Sequence, residues 1–184
     1  MTASDRALLI QEIQDVLFRY ARGVDRCDWP LVRSTYHEDA HDDHGQYKGR
    51  LDGLMSYLAA RHRFIDQSQH FITNIQVELV GDDVAIVESY YMVFQRMLKT
   101  AGEYVAPFAP DPSAFPGDRV QIEVYGRYID RFSRRVGEWR VENRLVIAET
   151  VRSSAVQSPS QAWRRDGNDP LDLLRRSAGL PQQA

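Results

Sequence analysis

Hydrophobic side chains recur at helical spacing in the first part of the chain. Ser4 is a suitable N-cap, and from there apolar residues return every three or four positions, which is typical of one face of an amphipathic helix. This apolar face consists of Leu9, Ile10, Ile13, Leu17, Tyr20 and Val24. The pattern predicts a first helix that begins at Ser4 and ends near Asp25.

Two shorter helices are predicted next. Asp28 supplies a capping carboxylate and Pro30 a favourable first-turn residue for a helix over about residues 29–36. A third helix, over about residues 51–61, has a single apolar face. Three helices are therefore expected before any strand.

The pattern then changes to the β-rich runs that are typical of strands. Segments 71–80 and 84–98 flank a Gly-Asp-Asp turn at 81–83, and segments 120–132 and 139–149 are joined by a second short turn. Helices first and long antiparallel strands afterwards indicate an α+β domain, in which the helices pack on one face of a curved sheet.

Two further regions have distinct compositions. Segment 100–117 contains four prolines, cannot enter a strand ladder, and is predicted to be a long loop or a lid. We predict a domain over 1–152 and a polar tail over 153–184, which is either an arm that packs on a neighbouring subunit through Trp163 and nearby leucines, or a frayed end. Strands such as 84–94 are apolar on both faces, which favours a subunit contact or a deep internal pocket.

Composition limits the class of protein. With 184 residues, of which 43% are hydrophobic and 27% charged, the chain is sized for one domain. Its net charge of -3 argues against a nucleic-acid-binding protein, which needs a clustered basic face. The single cysteine, Cys27, excludes an internal disulfide and a cysteine-based zinc site. We expect neither a signal peptide nor a membrane span, and a cytoplasmic location.

Residues 37–41 read HEDAH and fit the H-E-x-x-H pattern of zinc proteases. The pattern binds zinc only within a continuous helix, where the two histidines share one face. Apolar residues stop recurring after Tyr36, and residues 41–45 are mostly turn formers. The helix is therefore predicted to end between His37 and His41, and a zinc hydrolase remains the least favoured hypothesis.

Asp25 and His70 are the first candidates for chemistry. Asp25 has no obvious structural role, because Asp28 is better placed to cap the following helix. His70 opens the first long strand, at the boundary between a polar loop and a segment that must enter the core. A histidine at such a place is most often a structural or rim residue.

Four runs of the sequence together resemble the SnoaL-like branch of the nuclear transport factor 2-like superfamily. They are RYARGVDRCDW, YHEDAHDDHGQYKG, QHFITNIQVELVGDDVAIVESYY and GRYIDRFSRRVGEWRVENRLV. Scytalone dehydratase, hexachlorocyclohexane dehydrochlorinase and ketosteroid isomerase belong to the same superfamily. The resemblance covers about residues 8–150. It implies a cone-shaped α+β domain, with three N-terminal helices on a strongly curved, mixed but mostly antiparallel sheet.

The resemblance also implies roles for individual residues. Asp25 and His70 fall on the positions of a catalytic pair, in which the histidine removes a proton from carbon and the aspartate orients it. The segment YHEDAHDDHG falls on an exit from a helix into a short strand. Tyr47 matches a pocket tyrosine of an early strand, and Arg127 lies near an arginine that assists the leaving group, although a surface salt bridge is the default for an arginine.

Three more residues are candidates for substrate binding. Asn74 has the same strand parity as His70, and Tyr20 can offer a hydroxyl to a pocket. His44 is expected either at the pocket mouth or in a hydrogen bond within its own turn.

The function implied by the resemblance is that of a cofactor-independent lyase, such as a dehydratase, acting on a small hydrophobic cyclic or aromatic substrate. An isomerase with the same base differs only in where the proton returns. A function of another class is a non-catalytic ligand-binding or assembly subunit, like the small subunits of ring-hydroxylating dioxygenases. We expect a homo-oligomer, a trimer rather than a dimer, and neither a nucleic-acid nor a membrane partner.

Overall fold

The structure is a computed structural model that describes residues 2–156 and 170–180. The described residues contain four α-helices and six strands. In chain order these are α1 (Ala3–Arg26), α2 (Trp29–Ser34), β1 (Tyr36–Asp43), β2 (Lys48–Arg50), α3 (Leu51–His62), β3 (Ile65–Leu79), β4 (Val84–Leu98), β5 (Arg119–Arg135), β6 (Glu138–Ala155) and α4 (Pro170–Ser177).

The six strands form one sheet in the order β2-β1-β6-β5-β4-β3. Among these described strands, β1 and β6 are the one parallel pair, and all other neighbours are antiparallel. Irregular register in β3 and between β5 and β6 adds twist and bends the long strands. Helix α1 packs on β3 and β6, and α3 contacts β1 and β3. The predicted α+β domain of helices on a curved, mostly antiparallel sheet is confirmed.

Helix α1 has defined signals at both ends. It begins with a capping box, in which the Thr2 hydroxyl accepts the backbone N–H of Asp5 and the Asp5 carboxylate accepts that of Thr2. It ends where Cys27 adopts a left-handed φ of 55°. A Cβ on Gly23 would lie 2.7 Å from the Val32 side chain, so glycine permits the close approach of α2 to the last turn of α1.

The segment after α2 is a strand. Helix α2 ends at Ser34, so the predicted end between His37 and His41 was wrong, because Tyr36 already begins β1 and pairs with β6. His37 Nε2 donates to the carbonyl oxygen of Ser133 at 2.9 Å. Within residues 2–156 and 170–180, no group of three or more His, Cys, Asp or Glu side chains is arranged to hold a metal ion.

Both predicted hairpins are present; β4 has its predicted bounds, and β3, β5 and β6 are longer than predicted. Strand β3 begins at Ile65 instead of Phe71, so His70 lies within the strand and not at its start. The second turn is made by Val136 and Gly137, which both adopt positive φ. Strand β4 pairs regularly with β5 along the whole of its length.

The proline-rich connection is structured and packs on the domain. Segment 99–118 contains two short 3-10 helices, Lys99–Tyr104 and Pro112–Ala114, and its Val105 and Ala109 are buried in the core. It is therefore a cover over one side of the sheet, and its predicted movement as a lid stays a prediction.

The tail predicted over 153–184 is only partly described. Strand β6 continues to Ala155, beyond the predicted domain boundary at residue 152. Trp163 lies outside the described residues. Leu171, Leu173 and Leu174 lie on α4 and are exposed, and the role of this region as a subunit-contact arm stays a prediction.

Candidate active site

A cavity lies between the inner face of the sheet, α1, α3 and the 99–118 cover. Its volume is about 370 Å³, which suits a small molecule. Strand alternation explains its lining, because alternate side chains of β4 and β5 point to the same face. Apolar and aromatic contributors include Val24, Leu58, Tyr91, Val93, Phe108, Val124, Tyr128 and Val146.

Asp25 and His70 meet at the wall of this cavity. Asp25 lies in the last turn of α1 and His70 in β3, and Asp25 Oδ1 is 2.6 Å from His70 Nδ1. Only 12% of the Asp25 side chain and 8% of the His70 side chain are exposed. Because an ionised carboxylate only accepts hydrogen bonds, His70 Nδ1 donates to it, and in the neutral form of the ring the opposite nitrogen, Nε2, keeps its lone pair.

Further donors hold the Asp25 carboxylate in place. Its Oδ1 also accepts the Ser68 hydroxyl at 2.8 Å, and its Oδ2 accepts the backbone N–H of His70 at 2.8 Å. Burial alone would raise the pKa of Asp25. The charge of His70 and the hydrogen bonds from His70 and Ser68 outweigh burial, so the pKa of Asp25 lies below its ordinary value.

The hydrogen-bond chain continues along the cavity wall. Gln95 Nε2 donates to Ser68 Oγ at 3.2 Å, and Arg61 Nη2 donates to Gln95 Oε1 at 2.8 Å. Sequence reasoning missed all three residues. Ser68 lies two positions before His70 and shares its face of the strand, which is a usable signal. Gln95 and Arg61 offer no such signal, because both residue types are normally exposed.

A second His–Asp contact faces the same cavity. His44 lines it, and His44 Nδ1 is 2.8 Å from Asp42 Oδ1, while Asp42 Oδ2 accepts the Tyr36 hydroxyl at 2.9 Å. His44 therefore both lines the cavity and forms a hydrogen bond close to its own turn, which were the two alternatives expected for it. Behind this contact, Arg144 and Asp130 form a fully buried bidentate ion pair with distances of 2.8 and 2.7 Å.

Tyr20 also lines the cavity, as a fully buried side chain. Its ring lies 4.3 Å from the Arg144 guanidinium carbon, a cation–π contact that Tyr128 makes on the same cation at 4.3 Å. Burial raises the pKa of Tyr20, so its phenol stays neutral. The side chain supports the cavity wall beneath the second His–Asp contact.

Two predicted substrate-binding residues of the sheet lie away from the cavity. Asn74 is exposed. A bulge between Thr73 and Gln76 interrupts the alternation of side chains along β3, so Asn74 does not lie on the same face as His70. Arg127 is on the opposite face of β5 and forms ion pairs with carboxylates of β4 and β6. Neither side chain is placed to contact a substrate in this cavity, and the prediction that they do so is corrected.

Tyr47 is likewise not among the cavity-lining residues. Its hydroxyl donates to the Arg50 carbonyl oxygen at 2.6 Å, and its ring stacks on Tyr57, which does line the cavity. Tyr47 therefore supports the position of Tyr57 and does not itself line the cavity.

Comparison with known proteins agrees with this fold. The sequence matches the family described as SnoaL-like domain over residues 5–145, and no curated protein matches it. A Novosphingobium aromaticivorans DSM 12444 protein, provisionally assigned as a scytalone dehydratase, has a TM-score of 0.68 at 16% identity, over 90% of this chain and 100% of its own. A type 2 hexachlorocyclohexane dehydrochlorinase gives 0.70 at 16% identity, over 88% and 100%.

A third similar structure belongs to a protein of unknown function from Mycobacterium tuberculosis, with a TM-score of 0.59 at 20% identity, over 100% of this chain and 96% of that one. At such identities the likeness shows the fold alone. In the described part of the chain, no helix is long and apolar enough to cross a membrane.

Proposed function

Because this chain belongs to the SnoaL-like domain family, we propose that it is a cofactor-independent lyase with His70 as the general base. The observation that carries the proposal is the 2.6 Å contact between Asp25 Oδ1 and His70 Nδ1 at the wall of an apolar cavity. The substrate is a small hydrophobic cyclic or aromatic molecule, since the cavity holds about 370 Å³ and is lined largely by apolar and aromatic side chains.

The geometry supports an elimination. His70 Nε2 takes a proton from a substrate carbon, the C–H electron pair becomes the new double bond, and the leaving group departs from the adjacent carbon. Asp25 stabilises the imidazolium that forms, and its lowered pKa keeps it ionised for this role. His44, oriented by Asp42 and facing the same cavity, is placed to give a departing oxygen its proton when its ring is charged.

The names of similar structures support this reaction class. One is provisionally assigned as a dehydratase and another is a dehydrochlorinase, and both names describe eliminations. A fold is shared by proteins of many functions, so the proposal depends on the Asp25–His70 geometry of this chain and not on the likeness.

The test is an ultraviolet scan against hydroxylated and halogenated cyclic and aromatic compounds without added cofactor, because elimination creates conjugation. We expect His70→Ala to lower the rate by about 10²-fold to 10⁴-fold, the range of general base catalysis. Asp25→Asn is expected to lower it by up to about 10⁴-fold, because the wrong histidine tautomer is then favoured.

Arg131→Gln is the matched control, because Arg131 forms an exposed ion pair with Glu142 away from the cavity. Circular dichroism of each variant verifies that the fold is retained. Turnover that survives in both His70→Ala and Asp25→Asn would contradict the assignment of the base. Binding of the compounds by all variants with no turnover would favour a ligand-binding module instead.

A further inference from the structure

Arg61 is a buried cation without a carboxylate partner in the described structure. It lies in the last turn of α3, is 7% exposed and lines the cavity. Its hydrogen bond goes to the neutral side chain of Gln95, at 2.8 Å, and Phe108 lies 5.2 Å from its guanidinium carbon. Arg144 shows the usual arrangement for such burial, because two of its nitrogens donate to the carboxylate of Asp130.

The described lining of the cavity includes basic side chains but no carboxylate. Its ionisable lining residues, other than tyrosines, are Arg61, His44, His62 and His70, and no Asp or Glu lines it within the described chain. The nearby carboxylates of Asp25 and Asp42 are each hydrogen-bonded to a histidine that lines the cavity. Arg61 is therefore the permanently charged side chain that a ligand meets in the described lining.

Burying an arginine without an anion is costly, since its charge loses hydration that one neutral hydrogen bond does not replace. Burial accordingly lowers the pKa of Arg61, although an arginine stays charged at neutral pH. A guanidinium offers five N–H donors in a planar fork that matches a carboxylate with two parallel hydrogen bonds. With one donor used by Gln95, the group retains enough donors for such a contact.

We propose that Arg61 binds a carboxylate group of the substrate, so that the cavity selects small cyclic or aromatic carboxylic acids. This inference rests on the proposed function and gives its substrate class. The chain Arg61–Gln95–Ser68–Asp25 joins the anion-binding group to the dyad along one wall. An acid held at Arg61 therefore presents its hydrocarbon part to the cavity that His70 also lines.

Titration calorimetry with matched neutral and anionic probes tests this. The probes are benzoate, phenylacetate and cinnamate, each paired with its primary amide, which has nearly the same shape and no charge. We expect the protein to bind at least one acid about 10-fold to 100-fold more tightly than its amide, as a charge-assisted hydrogen bond contributes. Arg61→Gln removes this preference, and Arg61→Lys, which keeps the charge but not the fork, retains part of it.

Arg131→Gln again serves as the control, with an unchanged preference for the acid. If the acids bind no better than their amides in any pair, or if Arg61→Gln keeps the preference, the inference is overturned. The comparison of acid and amide on the unsubstituted protein can overturn the inference even if an Arg61 variant fails to fold.

The same titrations on His70→Ala separate this inference from the proposed function. Binding needs no proton transfer, so the preference for acids persists in that variant if Arg61 is responsible. If His70→Ala keeps both the preference for acids and full turnover, the assignment of His70 as the base is wrong, and the inference that Arg61 binds a carboxylate is still supported. If Arg61→Gln loses the preference for acids and turns over neutral substrates at an unchanged rate, the result agrees with both the proposed function and the role of Arg61.

Discussion

At the scale of single residues, the carboxylate of Asp25 accepts hydrogen bonds from the Ser68 hydroxyl and from both the backbone and the ring of His70. Burial opposes its ionisation, but the charge of His70 and these donors lower its pKa overall. The unfolded chain, in which an aspartate titrates near pH ~3.9, therefore binds more protons in the acid range than the folded chain does. The contribution of Asp25 to stability therefore rises with pH through that range.

This predicts how Asp25→Asn changes the pH dependence of stability. The contribution of Asp25 is fully present above its unfolded pKa and is lost as pH falls through the lower folded value. We expect the free energy of unfolding lost in Asp25→Asn to be larger at pH ~6 than at pH ~3. Urea denaturation at both pH values measures it, and a loss that is the same at both would contradict the linkage.

The residues of the site differ in how far the sequence reveals them. Asp25 and His70 could be predicted, because both are chemically distinctive residues and both fall on matching positions of a family. Arg61 could not, since a charged residue near the end of a helix is normally exposed. Its burial arises from the 99–118 cover, whose position no local pattern predicts.

At the scale of elements, a bulge in β3 decides which side chains of this strand face the interior. His70 and Val77 both turn inward although their numbers differ in parity, because the register shifts between Thr73 and Gln76. Asn74 lies within this bulge at φ 47°, a left-handed conformation that asparagine adopts more readily than most residues. A period-two pattern predicts a strand but not the position of its bulge, which explains why Asn74 was predicted to share the face of His70.

We therefore predict a conformational rather than a catalytic role for Asn74. Asn74→Gly should leave stability nearly unchanged, because glycine accepts positive φ at little cost. Asn74→Val should destabilise the fold by about 1–2 kcal/mol, because a β-branched residue is strained in the left-handed region. Urea denaturation of the pair measures the effect. Equal stability of the valine variant and the unsubstituted protein would contradict it.

At the scale of the whole molecule, the outer face of the sheet carries apolar side chains that a monomer leaves in water. Phe71, Ile86, Tyr90 and Leu145 are between 40% and 46% exposed. The register places them together on the face that points away from the cavity, around the ion pairs of Arg127. The sequence predicted strands that are apolar on both faces, and the cavity accounts for only the inner one. Large exposed apolar patches are typical of protein contacts.

The expected homotrimer is therefore predicted to use this outer face. Sedimentation velocity should give a particle of about three times the 21.2 kDa chain mass. The double substitution Phe71→Glu and Tyr90→Glu should produce monomers, because each buried carboxylate in a contact would lose its hydration. Leu8→Glu, at an exposed position on α1, is the matched control and should leave the particle unchanged. A chain ending at residue 156 tests the tail separately: a monomer there, with trimers for the double variant, would move the contact from the sheet to the tail.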